Sequence, residues 1–104
     1  MVMQSDQGYA YQVVTEQDPG ALSRVLEFFA MNSHIPQSLA AHRIDEEALQ
    51  VDVTVPDLDY ASARVIAAKM KQMVVVRNVR LFQAARKSRA NAAGGVMELT
   101  EVLI

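Results

Sequence analysis

The sequence predicts an α+β fold of the ferredoxin-like kind, in which a β-α-β-β-α-β order builds a four-stranded antiparallel sheet with two helices on one face. Residues 49–55 alternate apolar and polar side chains, which is the pattern of a half-buried strand. Residues 19–32 and 58–72 carry apolar side chains at helical spacing and follow capping residues. A chain of 104 residues that is 51% hydrophobic and has no cysteine suits one domain that folds without disulfide bonds.

The first strand and the first helix are predicted at residues 9–15 and 19–32. Asp18 is the candidate N-cap, because its carboxylate can accept the free N–H groups of the first turn. Pro19 suits the first helical position, and Gly20 leaves the backbone open to another molecule. Such a helix start carries free N–H groups and the positive end of the dipole, which suit a small anion such as a carboxylate. The competing interpretation is that these residues only begin a helix.

The second strand is predicted at residues 35–44, with Pro36 near its start. Because proline cannot donate to a strand ladder, Pro36 indicates an edge strand. A polar turn at residues 45–47 leads into the third strand at residues 49–55. Right-handed crossovers then place the first and third strands in the centre of the sheet, and the second and fourth strands at its edges.

The second helix is predicted at residues 58–72 and begins after Pro56 and Asp57. Its inward face is predicted to consist of Leu58, Ala61, Val65, Ile66 and Met70. The last strand is predicted within residues 74–82, with a kink at residues 77–78.

Three segments divide the chain. They are an N-terminal tail at residues 1–8, the folded domain at 9–83, and a linker with an apolar C-terminal segment at 84–104. Residues 83–95 are rich in Ala, Arg and Asn and end in Gly-Gly, which predicts a flexible connector. Residues 96–104 are apolar again, with a period that fits a strand or a helix. We expect this segment to dock either on the chain's own sheet or on a partner.

Charge is divided unevenly along the chain. Residues 1–60 carry ten acidic and two basic side chains, whereas residues 61–104 carry two acidic and eight basic ones. The basic run from Arg64 to Arg89 is interpreted as a solvated face, with a nucleic-acid footprint or half of a self-complementary dimer surface as alternatives. The sequence shows neither a long apolar stretch nor a leader pattern, so it predicts a cytoplasmic protein.

The residues available for catalysis or metal binding are few. His34 and His42 lie eight residues apart, which is about 26 Å along a regular strand and too far to share a metal. The sequence therefore predicts no enzyme activity, no catalytic residue, no metal site and no cofactor. An RNA-binding module is an alternative, but such a sheet stacks bases on aromatic residues of its central strands. The only candidates here are Tyr9 and Tyr11 on the first strand.

The residues around the predicted anion site also carry a family resemblance. Residues 11–30 are Tyr-Gln-Val-Val-Thr-Glu-Gln-Asp-Pro-Gly-Ala-Leu-Ser-Arg-Val-Leu-Glu-Phe-Phe-Ala, followed by Ile-Pro-Gln-Ser-Leu at 35–39 and Val-Arg-Asn-Val at 76–79. Together they resemble an ACT domain. Pro-Gly-Ala-Leu-Ser-Arg-Val followed by Gln-Ser-Leu is most similar to the regulatory small subunit of acetolactate synthase. The chain departs from that pattern at Ser33 and His34, where the family usually has glycine, and in having no counterpart of that subunit's larger C-terminal domain.

The resemblance spans residues 9–82 and implies a non-catalytic regulatory domain that binds a free amino acid and controls an amino-acid biosynthetic enzyme. It maps the effector loop to Asp18, Gly20, Ala21 and Leu22, and the completing strand segment, often from the neighbouring subunit, to Ile35, Pro36, Gln37 and Ser38. Leu22 and Ile35 suit an aliphatic effector side chain. The implied partners are a second copy of the chain in a homodimer, the amino acid and a biosynthetic catalytic subunit. The alternative within the family is a domain that pairs subunits without a ligand.

Overall fold

Two helices and five strands are found in the protein's structure, a computed structural model that describes residues 7–86 and 97–104. In chain order they are β1 (Gln7–Glu16), α1 (Ala21–Met31), β2 (Ser38–Arg43), β3 (Ala48–Pro56), α2 (Tyr60–Lys71), β4 (Val76–Arg86) and β5 (Met97–Val102). The strands form one antiparallel sheet in the order β2-β3-β1-β4-β5. The predicted α+β class is confirmed, whereas the predicted number of four strands is wrong because β5 adds a fifth.

The core lies between the sheet and the two helices. Alternate residues of β1, among them Tyr11 and Val13, are buried against the helices, because successive side chains of a strand point to opposite faces. The Tyr11 ring packs edge-on against Phe29 of α1, with 5.7 Å between the ring centroids. Its hydroxyl donates to the carbonyl of Ala63 in α2 at 2.9 Å. Burial raises the pKa of the Tyr11 phenol far above its ordinary value, so the neutral side chain joins the central strand to both helices.

The predicted kink in the last strand is confirmed as a β-bulge. Thr15 of β1 lies opposite Val76 of β4, and Val14 lies opposite Asn78. Arg77 is therefore an extra residue in β4, which bends the strand and interrupts the regular pairing.

The C-terminal segment docks on the chain's own sheet as β5, which pairs with residues 81–86 of β4. β4 is therefore an inner strand rather than the predicted edge, while β2 is at the edge of the sheet as predicted. β4 reaches Arg86, so the first residues of the predicted connector at 83–95 belong to a strand. The remainder of that connector, and residues 1–6 of the predicted tail, lie outside the described residues.

β2 begins later than predicted. Its first residue is Ser38, so Pro36 precedes the strand instead of lying within it. The segment before β2 is tied to β3 by Gln37, whose N–H donates to the carbonyl of Thr54 at 2.7 Å. Proline in this segment costs no ladder hydrogen bond, since the regular pairing of β2 with β3 starts after it.

α2 also begins later than predicted, at Tyr60, because Asp59 is its cap. The Asp59 carboxylate accepts the N–H of Ser62 at 2.7 Å. The buried side of α2 consists of Ala63, Ile66, Ala67 and Met70. The predicted inward residues Ala61 and Val65 are exposed instead. Apolar residues of α2 lie on more than one of its faces. The contact of the helix with the sheet, rather than the sequence pattern, therefore decides which face is buried.

The substitution Asp59→Asn is expected to reduce the loss of thermal stability that the protein suffers when the pH falls into the acidic range. Hydrogen bonding from Ser62 lowers the pKa of Asp59, so this cap stabilises the fold above the unfolded-state pKa and is lost as the pH falls through the folded-state pKa. Asparagine caps a helix but does not titrate. We expect a smaller fall in Tm between about pH 6 and about pH 3 than in the wild type, measured by circular dichroism. Asp59→Ala is the control and should lower Tm at both pH values. Equal falls in the wild type and Asp59→Asn would contradict the prediction.

Candidate functional site

The loop between β1 and α1 is built around Asp18. Its N–H donates to the carbonyl of Glu16 at 2.8 Å, and its own carbonyl accepts the N–H of Ala21 at 2.9 Å. Its Oδ1 accepts the N–H of Gly20 at 2.9 Å. Gly20 is the N-cap of α1, and no side chain caps the helix there. The prediction of Asp18 as the N-cap is therefore wrong, because its carboxylate closes the turn that precedes the helix.

Only part of the first turn of α1 offers free N–H groups. Asp18 engages the N–H groups of Gly20 and Ala21. Those of Leu22 and Ser23 have no acceptor among the described residues. The first N–H groups of a helix have no partner within it. Leu22 and Ser23 therefore offer two donors at the positive end of the helix dipole, where a carboxylate is stabilised.

The space beside Gly20 lies between two opposite charges. A Cβ placed at Gly20 would be 3.7 Å from Oδ1 of Asp18 and 3.9 Å from Nε of Arg24. Arg24 is exposed on the first turn of α1. It was not predicted as a site residue, although its position four residues after Gly20 places both on one side of the helix. A carboxylate and a guanidinium beside open backbone match the ammonium and carboxylate groups of a free amino acid.

Gln17 fastens this loop to the turn between β2 and β3. Its N–H donates to the carbonyl of Glu47 at 3.2 Å. Its side-chain amide donates to the carbonyls of Asp45 and Glu46 at 3.2 and 3.1 Å. The sequence did not indicate this role, because all three acceptors are backbone carbonyls far away along the chain. The candidate site is therefore positioned by the helix start and by a second turn of the sheet.

The other predicted loop residues contribute their backbone rather than their side chains. Ala21 is fully buried. Leu22 is half-buried and packs against the hydrophobic core. The side chains that face the open space at Gly20 are thus the two charged ones, Asp18 and Arg24.

Two residues of the second predicted group, Ile35 and Pro36, border a separate groove of about 410 Å³ on the surface of α1. This groove is lined by Leu26, Ala30, Ser33, His34, Ile35 and Pro36. Ile35 is 84% exposed. Gln37 and Ser38 are exposed at the start of β2. The loop residues Asp18 to Leu22 do not line this groove, so within one protomer it does not unite the two predicted groups.

The sheet offers poor support for base stacking. Tyr9 and Tyr11, the predicted stacking candidates, are 7% and 1% exposed beneath the helices. The basic residues of α2 and β4 whose exposure is described are all exposed: Arg64, Lys69, Lys71, Arg77 and Arg80. Arg80 is bonded to Glu101 of β5. This distribution over a helix and a strand agrees with the interpretation of the basic run as solvated surface.

Metal-binding chemistry is also sparse. His34 lies after the end of α1, where its N–H donates to the carbonyl of Phe29 at 2.9 Å, and His42 lies in β2. Residues 7–86 and 97–104 contain no group of three or more His, Cys, Asp or Glu side chains that could hold a metal ion. Neither helix in this part of the chain is long and apolar enough to cross a membrane. The absence of a cofactor and the cytoplasmic location stay predictions.

Comparison with known proteins supports the family resemblance. A family model described as an ACT-like domain matches residues 3–88. The solution structure of the C-terminal domain of the MgtC protein from Mycobacterium tuberculosis matches with a TM-score of 0.63 and 10% sequence identity, over 80% of this chain and 93% of that one. At that identity the likeness concerns the fold alone. No curated protein matches the chain, and the similarity to the acetolactate synthase subunit stays a prediction.

Proposed function

Because this chain belongs to the ACT-like domain family, we propose that it is a non-catalytic regulatory domain that binds a free aliphatic amino acid at the start of α1. The observation that carries the proposal is the open backbone of Gly20 between the Asp18 carboxylate and the Arg24 guanidinium. With the amino acid bound, the domain regulates an amino-acid biosynthetic enzyme according to the concentration of that amino acid. We also propose that β1 to β4 and the two helices correspond to a ferredoxin-like unit.

The proposed site binds both charged groups of the amino acid. Its ammonium group binds the Asp18 carboxylate, whose Oδ1 already holds Gly20 and whose second oxygen faces no described donor. Its carboxylate accepts the free N–H groups of Leu22 and Ser23 and pairs with Arg24, since both the helix dipole and the guanidinium favour an anion there. Recognition of both charges at one helix start selects free amino acids over neutral or singly charged molecules of the same size.

A second protomer completes the proposed site. β2 is a short edge strand whose side chains are exposed except for half-buried Leu39, and such an edge can pair with its counterpart in another copy. This pairing brings a partner copy of the segment before β2 alongside the loop. Ile35, exposed in a single protomer, then covers the aliphatic side chain of the effector, with Gln37 and Ser38 nearby. Burial of Ile35 against the effector couples ligand binding to dimerisation.

A thermal-shift screen against the free amino acids tests the proposal. An aliphatic amino acid at one hundred times its dissociation constant should stabilise the fold by about 2.7 kcal/mol. In a domain of this size we expect a rise in Tm of roughly 10–20 °C. The deaminated and decarboxylated analogues of the same amino acid should give no shift, because each lacks one of the two charges.

Two variants locate the site. Gly20→Val should abolish the shift, because the added side chain fills the space between Asp18 and Arg24. The unliganded fold should persist, since the nearest atoms to a Cβ there are at 3.7 and 3.9 Å. Arg24→Gln should weaken binding while leaving Tm without ligand unchanged. If no amino acid shifts the wild type, the domain pairs subunits without a ligand; if Gly20→Val shifts as much as the wild type, the ligand binds elsewhere.

A further inference from the structure

β5 is bound to the rest of the domain along one side only. Its six residues pair with residues 81–86 of β4 and have no strand on their other side within the described sheet. Glu98, Leu99, Thr100 and Glu101 are exposed, and Leu99 retains 52% of its accessible surface. Among residues 98–102, whose burial is described, Val102 alone is half-buried and packs against the core. A segment with so few buried apolar contacts opens locally at little cost in free energy.

A charged pair on the open face of the sheet holds the strand in register. Arg80 donates from Nε to Oε2 of Glu101 at 3.0 Å and from a terminal nitrogen to Oε1 at 2.7 Å. Its other terminal nitrogen donates to Oε1 of Gln12 at 3.1 Å. The guanidinium lowers the pKa of Glu101. Both side chains of the pair remain 45% exposed, so water and salt reach this contact and weaken it.

The residues after β5 reach across to α2. The carbonyl of Leu103 accepts the Tyr60 hydroxyl at 3.4 Å. Ile104 lines a groove of about 420 Å³ together with Ala61, Arg64, Val65, Ala68 and Lys71 of α2. The segment 97–104 therefore presents three features to the domain: a glutamate toward Arg80, a valine toward the core and an isoleucine beside an apolar groove with two cations.

We propose that β5 is a detachable strand that occupies a docking site for a partner protein. When it leaves, the outer edge of β4 at residues 81–86 and the groove on α2 are exposed together. The occupant that fits is an extended partner segment that adds as a strand. It carries a glutamate that reaches Arg80 as Glu101 does now, and aliphatic residues at the positions that Val102 and Ile104 fill. This site goes beyond the proposed amino-acid site and does not depend on ligand binding there.

Hydrogen exchange on the full-length wild-type protein tests the opening. We expect the paired amides of β5 to exchange on the order of 100-fold faster than those of β1. Their exchange should also be insensitive to low concentrations of denaturant, because local opening exposes little surface. Protection in β5 equal to that in β1 would mean that the strand leaves only on global unfolding, and the proposal would be overturned.

A charge reversal tests the site that the strand vacates. In the full-length variant Glu101→Arg, repulsion from Arg80 should release β5. A fluorescent peptide with the sequence of residues 97–104, Met-Glu-Leu-Thr-Glu-Val-Leu-Ile, should then bind at least about tenfold more tightly than to the wild type, by anisotropy. The double variant Arg80→Glu/Glu101→Arg restores the internal pair and repels the peptide's glutamate. It should bind no better than the wild type.

Two results would contradict the proposal of a partner segment. One is equal peptide binding to Glu101→Arg and to the double variant, because the peptide would then bind without the Arg80 contact. The other is a Glu101→Arg variant that forms larger oligomers and takes up no peptide, because the exposed β4 edge would then accept a second copy of the chain.

Discussion

Sedimentation equilibrium at micromolar concentration is expected to give a mass of about 23 kDa, twice the 11.5 kDa of one chain. The reason is the structure of the two sheet edges. The sheet ends in β2 on one side and in β5 on the other, and the side chains of β2 are exposed except for half-buried Leu39. An exposed edge of unpaired backbone groups is a template for strand pairing. Pairing of β2 with β2 of a second copy uses the same edge in both chains, so it stops at two copies.

The substitution Ala41→Pro in β2 is expected to convert this dimer to a monomer. Ile44 donates its N–H to the carbonyl of Ala48 in β3. Hydrogen-bonded and non-bonded positions alternate along an antiparallel pair. The N–H of Ala41 therefore points away from β3 and outward from the open edge of the sheet. Proline at position 41 removes a donor that the monomer does not use but that the dimer needs. The mass in sedimentation equilibrium should fall to about half that of the wild type.

Ala41→Val is the matched control, because valine keeps the N–H group and suits a strand. It should sediment as the wild type does. A wild type that is monomeric at micromolar concentration would remove both the interface and the shared amino-acid site. A dimeric Ala41→Pro variant would place the interface elsewhere.

The substitution Gly8→Ala is expected to lower the stability of the fold more than Gly20→Ala does. A Cβ at Gly8 would lie 2.5 Å from the carbonyl oxygen of Val55 and 2.9 Å from Cα of Pro56. Both are backbone atoms of the neighbouring strand, so no flexible side chain can move aside. Forcing extra atoms into such a site costs about 1–3 kcal/mol. We expect the midpoint of urea denaturation to fall accordingly, and Tm to drop by roughly 5–20 °C.

Gly20→Ala is the control for this prediction. A Cβ there meets its nearest atoms only at ordinary contact distances, 3.7 and 3.9 Å. It should therefore change Tm by no more than about 2 °C. A Gly8→Ala variant that is as stable as Gly20→Ala would show that β1 and β3 separate more easily at this end than their close approach indicates.

Local patterns predicted the elements whose signal is contained in a few neighbouring residues. The alternation at residues 49–55 predicted β3 with the correct buried face, because valines at every second position face one side of a strand. The helical spacing after Gly20 predicted α1 with an apolar face of Leu22, Val25, Leu26 and Phe29. Val25 and Phe29 are buried, whereas Leu26 is exposed. The kink predicted at residues 77–78 is found as a bulge at Arg77.

Contacts between distant residues decided the parts that were missed. The buried face of α2 depends on which alanines meet the sheet, and its sequence fits more than one phase. Gln17 is held in place by hydrogen bonds to the turn at residues 45–47. Arg24 becomes a site residue because its side chain lies beside the open backbone at Gly20. Nothing adjacent to Gly8 in sequence signals its contact, since the atoms it approaches belong to residues 55–56.

The sequence by itself determined the order of the first four strands and the two helices and the resemblance to ACT domains, and it predicted a helix start suited to a carboxylate, because each of these depends on residues close together in the chain. The tertiary structure decided that Asp18 closes a turn instead of capping α1, that Leu22 and Ser23 are the free donors, and that residues 97–102 form a fifth strand. Competition among hydrogen-bond acceptors and pairing between distant strands depend on which groups the folded chain brings together, and that information is spread over the whole domain.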